Sequence, residues 1–161
     1  MYHIQGNINA KVKLGLFYND ELLEVMTFGH KRKALGSNND NNDIWELYRL
    51  CTKTGITVIG GASKLLKYFE TNYNPTTIIS YCHNEISDGS VYEKLGFIFD
   101  KECGQGFSYF NNKISKKRIN RFVLRKDKID DKSGKTADQI LAEQGYLKCY
   151  DSGVKKYIKI L

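Results

Sequence analysis

The chain has 161 residues, of which 41% are hydrophobic and 12% aromatic, and this is enough apolar material for one domain with a buried core. It lacks the run of about 18 apolar residues that a membrane span needs and the apolar block of a secretory signal, so the sequence predicts a cytoplasmic protein with no membrane partner. Its four cysteines are widely spaced, which excludes a zinc ribbon and a disulfide scaffold: Cys51, Cys82, Cys103 and Cys149. We therefore predict no metal site.

The formal net charge is +7, and it is unevenly distributed. Residues 113–135 hold ten Lys/Arg and three Asp, a surplus equal to the net charge of the whole chain. Such a dense positive surface favours a polyanionic partner, because counterions are released at phosphates; a solvated surface that keeps the chain soluble is the alternative. We predict that nucleic acid, with DNA as the first choice, is bound by Lys116, Lys117, Arg118, Arg121, Arg125 and Lys126.

The first elements in chain order are strands. Two segments rich in β-formers surround Asn19-Asp20, which predicts a hairpin. A loop rich in Ser, Asn and Asp follows over residues 30–43. Residues 44–51 then alternate as a strand with large side chains on both faces, which is typical of a central strand. Side chains of one face are predicted to be Ile44, Glu46, Tyr48 and Leu50, and those of the other Trp45, Leu47, Arg49 and Cys51.

From Gly60 the apolar residues recur at helical spacing, and Asn74-Pro75 predicts the end of that helix. Residues 76–82 have the composition of a buried strand. A short helix with Gly96 as its stop is predicted next, and the segments 97–100 and 106–111 are predicted to pair as closing strands.

The end of the chain reads as a small helix and a hairpin. Thr136 and Gln139 have the spacing of a capping box, and the hairpin is predicted to turn at Asp151 to Gly153. Alternating strands and helices predict an α/β (α+β) fold with a mixed sheet flanked by helices. We predict a core of residues 1–112 and a basic extension of residues 113–161 packed on or beside it.

The pair Gly60-Gly61 stands directly before the helical pattern. A helix that begins with small residues presents unpaired backbone N–H groups, and its dipole adds partial positive charge there. The absent Cβ atoms admit a diphosphate, and Ser63 offers a hydroxyl donor. A plain steric need for glycine is the alternative.

Two motifs together resemble the GNAT superfamily of acyltransferases. "VYEKLGF", Val91 to Phe97, resembles the superfamily's hallmark after the strand on the far side of the acyl-CoA cleft, and "TVIGGA", Thr57 to Ala62, is similar to its pyrophosphate loop. The resemblance covers about Lys11 to Phe110. It implies a GNAT-like mixed central sheet that lacks the superfamily's usual first strand and helix.

The resemblance also implies roles for residues. An acetyl-CoA or related acyl-CoA would be held by the amides of Gly60, Gly61, Ala62 and Ser63. Tyr92 takes the position of the tyrosine that protonates the leaving thiolate, and its phenol suits that role at neutral pH; packing in the core is its alternative role. Glu46 stands where a general base can lie, or it pairs with a neighbouring cation. Thr57 departs from the Gln/Arg that usually opens the loop.

A narrower resemblance covers nearly the whole chain. "WELYRLC", "VIGGASKLLKYF" and the ending "GYLKCYDSGVKKY" look like the C-terminal module of Vsr-like endonucleases of phages and large DNA viruses. "ELYRL" and the "SY…DG…Y…GF" arrangement are also similar to the Mom family, phage proteins with a GNAT-like fold that modify adenine in DNA. The comparison implies a cleft rim of Tyr81, Asp88, Gly89 and Tyr92, with Glu46 and Arg49 beneath it. In this cleft Asp88 is predicted to be catalytic together with Tyr92 and Glu46, and Arg49 and Tyr81 are predicted to contact the nucleic acid. A helix N-cap is the alternative role of Asp88.

These features leave three functions open. The first is a Mom-like or acyltransferase-like enzyme that modifies a nucleic-acid base in the cytoplasm, which for a viral chain is that of the host. The second is a non-catalytic DNA-binding accessory module derived from a Vsr-like endonuclease. The third is a GNAT acyltransferase of a small-molecule or protein amine. A second copy of the chain or a nuclease partner is expected to supply the missing first strand and helix.

Overall fold

The computed structural model of the protein describes residues 8–30, 43–125, 129 and 134–161. The predicted polar loop lies almost entirely outside these residues. The described part contains nine strands and three helices. None of those helices is long and apolar enough to cross a membrane.

The first two strands form the predicted hairpin. Strand β1 (Val12–Tyr18) pairs antiparallel with β2 (Glu21–His30), and Tyr18 lies opposite Glu21. Asn19 and Asp20 both adopt positive φ, at 47° and 63°. These angles are those of the two-residue turns that match the twist of a hairpin, and Asn and Asp tolerate them better than other side chains do. The hairpin prediction is confirmed.

Strand β3 (Ile44–Thr52) lies inside a six-stranded sheet of order β1-β2-β3-β4-β9-β5, as predicted for a central strand. Its predicted faces are wrong beyond Leu47. Phe28 of β2 lies opposite Leu47 but Thr27 lies opposite Arg49, so Tyr48 is an extra residue, a β-bulge. Because the bulge shifts the alternation by one residue, Arg49 shares a face with Glu46, whereas Leu50 joins Trp45 and Leu47.

Helix α1 (Gly61–Tyr73) covers one face of this sheet. Its buried side chains Leu65, Leu66 and Phe69 recur at helical spacing and enter the main apolar core. The ring of Phe69 is stacked on Phe28 of β2, with 3.6 Å between the ring centroids. The helix ends at Asn74, which adopts positive φ and donates its N–H to the carbonyl of Glu70, as the sequence predicts.

The chain after α1 returns to the sheet as β4 (Thr77–His83), parallel to β3. The short helix α2 (Ser90–Lys94) follows, and Gly96 adopts a φ of 80° at its end. The strand and the short helix are therefore confirmed. The helix holds Tyr92 against the core side chain Phe97, with 5.7 Å between ring centroids.

The predicted pairings near the end of the chain are wrong. Strand β5 (Ile98–Cys103) is in the six-stranded sheet beside β9 (Val154–Ile160), and β6 (Phe107–Asn111) is in a separate three-stranded sheet of order β7-β6-β8. Strands β8 (Leu147–Tyr150) and β9 are likewise in different sheets and form no hairpin. Tyr157 of β9 is 2% exposed. Burial of this ring in the larger sheet therefore outweighs the lower loop-closure cost of a local hairpin between β8 and β9.

The chain divides into two compact units. The first comprises residues 1–102 and 155–161, and the second Cys103–Val154. The second unit contains β6, β7 (Ser115–Asn120), β8 and the helix α3 (Ala137–Glu143). Thr136 and Gln139 form the predicted capping box of α3. The predicted division at residues 112 and 113 falls within this second unit, between β6 and β7, and as a statement about domains it stays a prediction.

Gly89 is required for two reasons, and this generates a test of the packing around α2. Its φ is 93°, and a Cβ at this position would meet the hydroxyl of Tyr157. Gly55 has a φ of 84°, but no atom of the described residues lies within 4 Å of a Cβ built there. We expect Gly55→Ala to lower the free energy of unfolding by about 1 kcal/mol and Gly89→Ala to lower it by about 1 to 3 kcal/mol more. Urea denaturation of both variants measures this, and equal losses would contradict the packing.

Candidate functional site

The first turn of α1 offers backbone donors, as the glycine pair predicts. The N–H of Gly61 donates to the carbonyl of Val58 (3.3 Å) and that of Lys64 to Gly60 (2.9 Å). The amides of Ala62 and Ser63 have no backbone acceptor among the described residues. These two N–H groups are the orphan donors of a helix start, and the dipole of this 13-residue helix adds partial positive charge to them.

The two glycines at this turn serve different purposes. Gly60 adopts a φ of 73°, and a Cβ built on it would meet no atom of the described residues within 4 Å. Gly61 has an ordinary φ, but a Cβ there would collide with the Glu24 carboxylate and would lie 2.8 Å from a methyl carbon of Val58. The expected open approach to the backbone therefore exists at Gly60, while at Gly61 the space is filled by the chain itself.

Glu24 of β2 is a buried acid at this helix start. Its side chain is 4% exposed, and its Oε2 has no hydrogen-bond partner among the residues that the structure describes. The other oxygen, Oε1, accepts a hydrogen bond of 3.4 Å from the Thr52 hydroxyl of β3. Burial raises the pKa of Glu24 above its ordinary value, and the bond from Thr52 offsets only part of that rise.

Strands β3 and β4 part close to the middle of the sheet. Their backbone pairing runs from Ile44↔Thr77 to Leu47↔Ser80, although β3 continues to Thr52 and β4 to His83. At the last pair, the buried hydroxyl of Ser80 donates to the carbonyl of Leu47 at 3.1 Å. The Ser80 side chain thus gives a hydrogen-bond partner to a backbone carbonyl at the point where the pairing of β3 and β4 stops.

Tyr92 lies at this parting of the strands. Its hydroxyl lies near that of Ser80, whose own proton is donated to the Leu47 carbonyl. The ring of Tyr92 stacks on Tyr157 with 5.0 Å between centroids. Burial raises the pKa of Tyr92 above its ordinary value, against smaller lowering effects of Ser80 and Arg49. The phenol therefore keeps its proton at neutral pH.

Asp88 precedes α2 and is exposed. Its Oδ1 accepts a 2.9 Å hydrogen bond from the N–H of Ser90, while the N-cap position itself is occupied by Gly89. The bond from the Ser90 amide is the main reason that the pKa of Asp88 lies below its ordinary value. Asp88 therefore accepts a hydrogen bond at the start of α2 but is the residue before the N-cap, not the N-cap itself. Its predicted catalytic role stays a prediction.

The remaining predicted residues of the first unit lie on the other face of the sheet. Glu46 is 1% exposed and lies opposite Ile79, so it points away from the face that carries Leu47 and Ser80. The bulge at Tyr48 places Arg49 on the Glu46 face, and by alternation along β4 Tyr81 shares it. The structure therefore brings Glu46, Arg49 and Tyr81 to one face and Tyr92 with Ser80 to the other.

The predicted basic contacts lie in the second unit. Those that the structure describes are exposed: Lys116, Lys117, Arg118, Arg121 and Arg125. Lys126 lies outside the described residues. Strand β7 carries the first three of these cations, and the turn that follows Asn120 carries Arg121.

Two residues of the site are absent from the sequence-based prediction. Glu24 has a readable signal, because it alternates with the core side chains Met26 and Phe28 and is therefore an acid in an apolar series. Ser80 stands in a buried strand and gives no such signal. Its importance comes from the place where two strands part, which no local pattern marks.

Comparison with solved structures finds acetyltransferases of similar fold. An acetyltransferase of Bacillus anthracis in complex with acetyl coenzyme A superimposes with a TM-score of 0.50 at 11% identity, over 96% of this chain and 65% of that one. PaiA N-acetyltransferase of Thermoplasma acidophilum, in complex with coenzyme A, gives 0.45 at 23% identity, over 58% and 55%. The protein has the GNAT acetyltransferase fold.

The family follows from the sequence. The model of the Mom protein family matches residues 2–161, and the chain belongs to this family. No curated protein matches the chain. The predicted resemblance to the Mom family is thereby confirmed, whereas the link to Vsr-like endonucleases stays a prediction. This chain spans less than two thirds of the length of the two acetyltransferases above.

Because the Glu24 carboxylate is buried, we predict that its removal stabilises the protein and that this stabilisation depends on pH. The pKa of Glu24 is higher in the folded than in the unfolded protein. Its contribution to the free energy of unfolding is therefore fully present below about pH 4.3, where the group is protonated in both states, and is lost as the pH rises through the folded pKa. Glu24→Gln should therefore raise the free energy of unfolding at pH 7 by about 1 kcal/mol or more, or about 2 to 4 °C in Tm.

The melting temperature measured from pH 4 to pH 7.5 tests this. The gain of Glu24→Gln should disappear towards pH 4. Glu102→Gln, at an exposed position of β5, is the control and should change Tm by about 1 °C or less at each pH. A gain of equal size at both ends of the range would show that the charge of Glu24 is not its cause.

Proposed function

We propose that the protein is an acyltransferase-like enzyme that uses an acyl-CoA and modifies a base of nucleic acid. The observation that carries the proposal is the placement of Tyr92 and Ser80 at the parting of β3 and β4, in a chain whose α1 begins with orphan amides. Membership of the Mom family and the acetyltransferase fold support it. When bound, an acyl-CoA supplies an activated acyl group on a thioester.

The amides of Ala62 and Ser63 fit one end of this donor. Two backbone N–H groups at a helix start suit a phosphate oxygen, and the open space around Gly60 lets that oxygen approach. The ionised Glu24 opposes an anion there, because its carboxylate lies against Gly61. Its raised pKa reduces the conflict, since a protonated Glu24 carries no charge.

Tyr92 has the properties of a general acid. It is protonated at neutral pH, and Ser80 can turn its own proton from the Leu47 carbonyl to the phenolate that remains when Tyr92 gives its proton away. Arg49 adds a smaller stabilisation of that phenolate. Because the pKa of Tyr92 is raised, loss of this acid should limit the rate only above about pH 10.

Nucleic acid is the proposed acceptor because of the second unit. Its described cations Lys116, Lys117 and Arg118 are exposed, and the segment 113–135 carries a surplus of positive charge equal to that of the whole chain. This surface attracts phosphates and repels cationic amines, which ranks a small-molecule amine behind a polynucleotide as acceptor.

A non-catalytic nucleic-acid-binding role is the second candidate. One observation favours it: the negative charge of Glu24 against the helix start of α1, which lowers affinity for an anionic donor. Such a module needs the cations of the second unit but neither Tyr92 nor a donor.

The proposed binding of acyl-CoA predicts that one substitution at the start of α1 preserves the stability of the protein but weakens its affinity for acetyl-CoA. Ser63→Asp places an acid in the first turn of α1, which favours the helix dipole and should leave Tm equal or slightly higher. It should weaken acetyl-CoA binding by about tenfold or more, so the rise in Tm that the ligand causes shrinks. Glu24→Gln should enlarge that rise. Thr71→Asp, near the other end of α1, is the control of equal charge, and an undiminished rise in Ser63→Asp would contradict the assignment.

The reaction itself is tested by mass spectrometry of nucleosides. Single-stranded and duplex DNA are incubated with the protein and acetyl-CoA, digested and compared with untreated DNA. A new acylated nucleoside is expected, and Tyr92→Phe should lower its rate of formation by about 100-fold or more. Tyr68→Phe, at an exposed position of α1, serves as the control. Intact binding of DNA without any adduct would favour the non-catalytic role.

A further inference from the structure

The second unit carries a row of alternating rings and cations. The ammonium of Lys148 lies 4.0 Å from the ring centroid of Phe107 and 5.6 Å from that of Tyr150. The guanidinium of Arg121 lies 5.1 Å from the rings of both Phe107 and Phe122, and that of Arg125 lies 4.5 Å from Phe122. We name this row the ladder, in the order Tyr150, Lys148, Phe107, Arg121, Phe122 and Arg125.

Backbone pairing holds the first half of the ladder. Phe107 of β6 lies directly opposite Tyr150 of β8, so their rings share a face of the three-stranded sheet. Lys148 is on the same face and is fixed by an ion pair of 2.6 Å with Asp138 of α3. Asp138 also accepts a hydrogen bond from the hydroxyl of Tyr109, which is buried on that face.

A turn after β7 holds the second half. The Oδ1 of Asn120 accepts a 3.0 Å hydrogen bond from the N–H of Phe122, and the carbonyl of Asn120 accepts one from Val123. Such an Asx turn fixes the backbone at the point where Arg121 and Phe122 leave it. The ladder is therefore built from two strands, β6 and β8, and from the segment after β7, which are apart in sequence.

The outer rings of the ladder face solvent. Tyr150 is 57% and Phe122 43% exposed, and Arg121 and Arg125 are exposed as well. Tyr150 and Phe122 thus present ring surface to solvent beside cations. The surrounding unit, Cys103–Val154, has eleven Lys/Arg and six Asp/Glu. The fitting partner is consequently both aromatic and anionic.

Nucleotides have both properties. Every base has a π face that stacks on an aromatic ring at a contribution of about 1 to 3 kcal/mol, and each phosphate pairs with a cation. A guanidinium that stacks on a ring through its flat face keeps its edge N–H groups for a phosphate. Exposed rings that alternate with Arg therefore match the alternation of bases and phosphates along a strand.

The base faces of a duplex are stacked on one another and are not available to an external ring. Purely electrostatic binding of duplex phosphates needs no exposed aromatic side chain. We infer that the ladder is a stacking surface for the unpaired bases of nucleic acid, either a single strand or a locally opened duplex. This inference rests on the proposed nucleic-acid function and adds to it the form of the substrate that the second unit holds.

The test measures fluorescence anisotropy of a labelled thymidine homopolymer and of a labelled duplex of the same length with the full chain. The parent should bind the single strand more tightly than the duplex. Phe122→Ala and Tyr150→Ala should each weaken single-strand binding by about 5- to 150-fold and change duplex binding by about twofold or less. The slope of affinity against salt should stay unchanged in both variants, because no phosphate contact is removed.

Two matched variants separate stacking from charge and from general loss of apolar surface. Lys117→Ala removes an exposed cation outside the ladder; it should weaken both ligands and reduce the salt slope by about 1. Leu147→Ala removes an apolar side chain that is 65% exposed on the opposite face of β8, and both affinities should stay as in the parent. Melting curves confirm that each variant is folded.

Several results would overturn the inference. Single-strand affinity that survives in Phe122→Ala and Tyr150→Ala, while Lys117→Ala weakens it, would show that the surface reads phosphates alone. Equal binding of both forms by the parent would have the same meaning, and the proposed reaction on nucleic acid would be unaffected. Absence of binding to either form would refute both the inference and the proposed acceptor. Ladder-dependent binding without any base adduct would refute the reaction and leave the inference standing.

Discussion

The early end of the pairing between β3 and β4 is the constraint on which the first unit depends. Parallel strands in the middle of a sheet ordinarily stay paired, because each unpaired backbone group in a buried place costs about 1 to 3 kcal/mol. Here Ser80 compensates at the last pair, Leu47↔Ser80, by donating its hydroxyl to the Leu47 carbonyl. The same hydroxyl lies near that of Tyr92 and lowers the pKa of its phenol. The buried side chain of Ser80 therefore lies both at the end of the β3–β4 pairing and beside Tyr92, the best candidate for an acid.

A second constraint is the competition between two negative groups at the start of α1. The helix dipole and the amides of Ala62 and Ser63 favour an anion, and Glu24 is the anion that the chain itself provides. Yet no donor in the described part of the chain reaches its Oε2, so the carboxylate gains little from the helix while it loses its hydration. A buried acid with these properties is a proton store next to the proposed phosphate site, and a bound phosphate would change its charge.

The sequence predicts the parts of this protein that depend on local chemistry. Asn19-Asp20 marks its hairpin and Thr136 its capping box because a turn or a helix start is decided by a few neighbouring residues. The bulge at Tyr48 is decided by packing across strands, where the ring of Tyr48 lies against Gly29 of β2. The choice of β9 as the partner of β5 is decided about fifty residues later in the chain. The candidate site divides in the same way: the glycine pair is readable, whereas the contact of Glu24 with Gly61 exists only after folding.

The two units offer anion contacts that differ in kind, and the difference fits the proposed division of tasks. The donors of the first unit are backbone amides fixed by α1, so their selectivity comes from geometry and is weakly affected by salt. The cations of the second unit are exposed side chains, which attract phosphates over a distance but are screened by salt. A small donor must be held in one orientation for transfer, whereas a long polymer must first be captured in many positions. Rigid amides suit the first requirement, and a charged surface with stacking rings suits the second, because stacking adds the selection for an accessible base that charge alone does not give.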